Sequence, residues 1–111
     1  MTKVAIIGSG FLVTELSRSG HDVRHVSVSR GPYNGISEET RRMLEACDCC
    51  VLETSPIGYG YFEAGWVAGR GKPVFMIPTS GDVLSSFRVL GVTSVSDLCE
   101  LKTFISQVIS G

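Results

Sequence analysis

The chain has 111 residues, 43% of them apolar and 19% charged, with a net charge of −1. That length suits one hydrophobic core and is too short for two, so residues 1–111 are expected to form a single domain. The balance excludes a disordered chain and gives no electrostatic case for a nucleic-acid or membrane surface. No apolar run approaches the length needed to span a bilayer, and the opening MTKVAIIG has none of the parts of a secretory signal. A soluble, cytoplasmic protein is the expectation.

In chain order, apolar runs alternate with helical patterns. A strand at 3–7 (KVAII) runs into Gly8-Ser9-Gly10, followed by a helix at 11–19 and a second strand at 22–28. Ser37, followed by Glu38 and Glu39, is a helix start with a polar cap and acidic residues at the positive end of the dipole, giving a helix at 37–46. Strands follow at 49–53, 73–77 and 92–95, with helices at 61–70, 82–89 and 96–109. Ser96 and Asp97 open the last helix in the same manner as Ser37. Continuous apolar runs such as VAII and VFMI imply strands buried on both faces, as in a parallel sheet covered by helices. Five βα units predict an α/β, three-layer, doubly wound fold with a five-stranded parallel sheet in the order 2-1-3-4-5.

The four cysteines are Cys47, Cys49, Cys50 and Cys99. Cys47 and Cys50 make a C-x-x-C that could be a redox pair or half a zinc site, but a second pair is missing and His21 and His25 lie on another element. The reading preferred is a helix end entering a buried strand, with thiols packed as small hydrophobes. No metal and no cofactor is expected.

In a doubly wound sheet ligands bind beyond the carboxyl ends of the strands, near the switch in strand order. Gly8-Ser9-Gly10 there suggests a dinucleotide loop. The third glycine of that fingerprint is replaced by Val13, and VRHVSVSRG at the second strand holds no acidic residue for a ribose. Ser29 and Arg30 suit a 2′-phosphate, so a non-catalytic nucleotide- or NADP-binding module stands as the alternative reading.

Residues 48–78, DCCVLETSPIGYGYFEAGWVAGRGKPVFMIP, carry more information. Glu63 falls in the first turn of the predicted helix, just after Gly58 and Gly60, where a carboxylate meets the helix dipole and unpaired N–H groups. A carboxylate positioned beside a loop that a ligand can approach closely is what a nucleophile at a sugar carbon needs. The same position also suits an ordinary helix-start glutamate.

The stretch resembles the signature of the nucleoside 2-deoxyribosyltransferase family, and most closely its 2′-deoxynucleoside 5′-monophosphate N-glycosidase branch. The resemblance rests on Asp48 opening a strand, Gly58 and Gly60, Phe62-Glu63-Ala64-Gly65, and Gly71-Lys72-Pro73-Val74. SGDVLSS, Ser80 to Ser86, is similar to the segment that supplies a phosphate-binding serine in that branch, with Ser85 the best match. The likeness covers residues 40–92. It implies that Glu63 attacks C1′ of a deoxyribose, and that Gly8, Ser9, Gly58, Gly60, Tyr61, Ser80, Gly81 and Ser85 line the substrate site. It also implies a small-molecule deoxynucleotide as ligand and a homodimer or larger homo-oligomer. Where the family carries an acid to protonate the leaving base, this chain has Thr40, with Glu39 beside it as the candidate donor. Ile57 stands where relatives have a polar residue. Tyr33, Tyr59, Tyr61 and Trp66 are aromatic candidates for stacking a base, although Trp66 lies i+4 from Phe62 and so suits a core or interface position.

Overall fold

The computed structural model describes residues 2–26, 37–53, 60–77 and 92–110. Nine elements follow one another: β1 (Lys3–Ile7), α1 (Gly10–Arg18), β2 (Asp22–His25), α2 (Glu38–Ala46), β3 (Cys49–Glu53), α3 (Tyr61–Gly69), β4 (Val74–Ile77), β5 (Val92–Ser94) and α4 (Leu98–Ser110). The expected helix at 82–89 lies outside the described residues. The five strands form one all-parallel sheet in the order β2-β1-β3-β4-β5, as expected. Among the described residues no helix is long and apolar enough to cross a membrane.

The central strands are legible in the chain because both of their faces are covered. Alternate residues of each strand enter opposite layers. Val4, Ile6, Cys49, Val51 and Phe75 pack with Leu12 and Leu16 of α1 and Leu101 and Ile105 of α4. Ala5, Ile7, Cys50, Leu52, Val74 and Met76 pack with Leu44 of α2 and Ala64 and Val67 of α3. Phe75 stacks on Phe104 with ring centroids 5.9 Å apart, tying α4 to β4. The outer strands are short, and β2 carries Asp22, Arg24 and His25, polar residues that suit a sheet edge.

Helix ends explain most of the remaining boundaries. The Ser37 hydroxyl accepts the Thr40 N–H at 3.2 Å, so Ser37 caps α2 as expected and the helix itself starts one residue later, at Glu38. Asp97 Oδ1 accepts the Glu100 N–H at 2.8 Å and Glu100 reaches back to the Ser96 N–H at 3.1 Å. Residues 96 and 97 therefore cap α4 and precede it.

Helix α3 closes with Gly71 at φ +81°, whose N–H bonds the Ala68 carbonyl while the Lys72 N–H reaches Val67. That pair of bonds is a Schellman closure, and it needs a residue without a Cβ penalty at position 71. The Lys72 ammonium then donates to the carbonyls of Leu44, Glu45 and Cys47, capping the C-terminus of α2. Asp48 Oδ2 accepts the Lys3 N–H at 2.8 Å and sets the register of β3 on β1. Asp48, Gly71 and Lys72 thus hold the amino edge of the sheet together.

Candidate functional site at the carboxyl edge

The strand order reverses between β1 and β3, and the chain returns to that edge at the start of each helix. Two glutamates stand there, one on each side of the sheet. Glu63 lies in the first turn of α3 and is 3% exposed; with Thr2 and Thr40 it makes up the buried polar residues among those described. Its charge is felt by the fully buried Cys50 thiol on β3, which burial first, then the charges of Cys47, Cys49 and Glu63, push well above the ordinary range. A carboxylate withdrawn from water costs free energy unless it is engaged, and Glu63 is held at the edge beyond which doubly wound sheets bind their ligands.

Gly60 sets that position. It is the N-cap of α3, with φ +86°, and a Cβ there would lie 2.5 Å from Ile7 Cγ2 and 2.9 Å from Leu52 Cδ1. The first residue of the helix end therefore rests directly on the last turns of side chain from β1 and β3. Only glycine has both the torsion and the clearance.

Glu53, the last residue of β3, was not singled out by the sequence motifs. Its Oε1 accepts the Ser9 N–H at 2.8 Å and its Oε2 accepts the Ser9 hydroxyl at 3.4 Å. A Cβ on Gly8 would stand 2.7 Å from the Glu53 Cβ, so this glycine makes room for the glutamate's stem. From the other side, His25 Nε2 donates to the Gly8 carbonyl at 2.7 Å. The turn after β1 is braced by both neighbouring strands. The available signal was positional: a charged residue ending a buried parallel strand lies on the ligand edge.

Glu39 is less well placed than expected. Thr40, 8% exposed, and the buried Leu44 face the sheet, and Glu45 meets Arg70 of α3 at 2.8 Å. Arg41 and Glu45 therefore mark the α3 side of α2. One residue before Thr40, Glu39 is turned about 100° the opposite way and is exposed. Glu39 and Glu63 both lie in the first turn of helices that begin at this edge, the first exposed and the second buried. The residue of this turn that points inward is Thr40, whose Oγ1 accepts the Ser37 hydroxyl at 3.0 Å.

Gly8, Ser9, Gly60 and Glu63 meet at this edge. Gly58, Ser80, Gly81 and Ser85 lie outside the described residues, as do Ser29, Arg30, Tyr33, Ile57, Tyr59 and the side chain of Tyr61. Trp66 packs against the α2–α3 layer, with Arg70 4.6 Å above its ring, so it belongs to the core boundary rather than to a base-stacking platform. Cys47 and Cys50 lie in that same layer and Cys49 in the opposite one. Burial, assisted by Cys47 and Asp48, pushes the Cys49 thiol up to about 12. These thiols pack as small apolar groups, and the Cys47 thiol donates to the Leu44 carbonyl.

Fold and edge together define a doubly wound α/β protein with a carboxylate on each side of the strand switch. No family model, no curated protein and no solved structure matches the chain.

Proposed function

We propose that this protein cleaves the N-glycosidic bond of a 2′-deoxynucleoside 5′-monophosphate, acting on the soluble nucleotides of the cytoplasm. The observation that carries the reading is Glu63, a buried carboxylate in the first turn of α3 beside the β1–β3 switch. In the reaction a Glu63 oxygen forms a bond to C1′ as the C1′–N bond breaks, and the base leaves with the electron pair and takes a proton from solvent water. A water then adds at C1′, gives up a proton to solvent and displaces Glu63 as its carboxylate, leaving deoxyribose 5-phosphate. Two displacements of low barrier replace one of high barrier. Glu39 is given no part, because its flank of α2 faces away from α3.

The dinucleotide alternative draws no support from the turn after β1. There the Ser9 N–H that would meet a pyrophosphate is bound to Glu53.

The test is chromatography of deoxy- and ribonucleoside monophosphates incubated with wild type and with Glu63→Gln. Free base with wild type alone, and a loss of at least about a thousandfold in the variant, is expected for removal of a nucleophile. Equal release by both proteins, or none by a folded wild type, overturns the proposal.

A further inference from the structure

A glycine turn leading from a strand into a helix ordinarily presents free N–H groups to an anion. In this chain the anion is internal. Both Glu53 oxygens are engaged by Ser9, one by its N–H at 2.8 Å and one by its hydroxyl at 3.4 Å. Gly8 is shaped to the Glu53 stem, 2.7 Å from where a Cβ would stand, and His25 holds the Gly8 carbonyl at 2.7 Å. The features that resemble a phosphate loop are thus accounted for by a carboxylate of β3. A phosphate brought to the same place would have to expel Glu53 or sit beside a like charge.

We infer that Glu53 is the charge-selecting residue of this edge: it closes the N-terminus of α1 to phosphate and turns the Gly8-Ser9 wall toward the uncharged part of a ligand. Glu53 is only partly buried, and a carboxylate has more acceptor positions than Ser9 fills. A sugar hydroxyl is the group that suits it. For the monophosphate substrate, which rests on the glycosidase reading above, the 5′-phosphate is therefore seated away from α1. The sugar lies between Glu53 and Glu63.

The experiment is amide NMR of the full ¹⁵N-labelled chain titrated with inorganic phosphate and with pyrophosphate. Wild type is expected to show no saturable shift at Ser9 or Gly10. Glu53→Ala is expected to show one, saturating at a concentration at least about tenfold below the highest at which wild type shows none, the scale of a charge-assisted hydrogen bond set free. Glu53→Gln, equal in size and uncharged, serves if the alanine variant does not fold, and its expected gain is in the same direction. Saturable shifts at Ser9 in wild type, or no gain in any folded variant, overturn the assignment. Base release by wild type reports on Glu63 separately. A protein that frees no base yet keeps phosphate off Ser9 loses the glycosidase reading and retains the charge selection.

Discussion

Replacing Gly60 by alanine adds one methyl group at the point where α3 rests on β1 and β3. Two costs are separable. The first is torsional: φ is +86°, and an L side chain in that left-handed region costs about 1–2 kcal/mol. The second is steric, because the new Cβ would stand 2.5 Å from Ile7 Cγ2 and 2.9 Å from Leu52 Cδ1. Leu52 could yield at its far end, but the Ile7 methyl sits on a branched carbon whose χ1 is restricted and is buried on a central strand. Overpacking of this kind costs about 1–3 kcal/mol. The sum, about 2–5 kcal/mol, is a large part of the roughly 5–15 kcal/mol that holds a domain folded. Gly71 supplies the control: its φ is +81°, and a Cβ there meets nothing within 4 Å. Urea unfolding of Gly71→Ala should therefore report the torsional cost alone, and Gly60→Ala should exceed it by about 2 kcal/mol. The Gly60 variant should also lose base release out of proportion to its folded fraction, since relieving the clash lifts the turn that bears Glu63. Equal destabilisation by the two variants would refute the argument that Gly60 is a packing contact.

Lys72→Met removes the ammonium that donates to the carbonyls of Leu44, Glu45 and Cys47. The expected cost is about 1–3 kcal/mol in a thermal or urea melt, with base release by the folded fraction unchanged because Lys72 lies at the opposite edge. Lost activity at unchanged stability would contradict that placement. The Cys49 thiol gives a pH test: its folded value is raised to about 12 from 9.0. Below pH 9 both states hold the proton; above it the unfolded chain releases the proton first, so stability falls by about 1.4 kcal/mol per pH unit until the folded thiol titrates. Cys49→Ala should lose stability less steeply than wild type between pH 9 and about 12, and parallel curves would show that Cys49 does not titrate as its burial demands.

Strands β1 and β3 begin and end where the sequence predicts, since an unbroken apolar run is forced by burial on two faces. The outer strands are less sharply written. Of the expected strand at 22–28, residues 22–25 form β2, the Val26 N–H still bonds the Ile6 carbonyl at 2.8 Å, and residues 27 and 28 lie outside the described residues. Helix boundaries shift with their caps: α1 begins at Gly10, and α4 begins at Leu98 after Ser96 and Asp97 have turned to cap it. Among motif residues, spacing alone does not separate the two edges of the sheet. Gly60 and Glu63 stand at the carboxyl edge, whereas Asp48, Gly71 and Lys72 tie the amino edge. The pairing of Lys72 with the end of α2 spans 25 to 28 residues and follows from tertiary packing, which no local pattern encodes.

The same distance in sequence hid Glu53. Ser9 and Glu53 are 44 residues apart, and each looks ordinary by itself: a serine after a glycine, and a glutamate closing an apolar run. Parallel pairing joins them, because β1 and β3 are neighbours in register and their last residues must come out at one edge. Ile7 pairs with Leu52, so Gly8 faces Glu53 one step beyond the ladder. Given that register, a glycine at position 8 is required by the glutamate's stem, and the serine after it is the nearest donor. The Gly8-Ser9-Gly10 turn therefore reads as a phosphate loop only while β3 is left out of account. In this chain the anion that meets the turn is the carboxylate ending the adjacent strand.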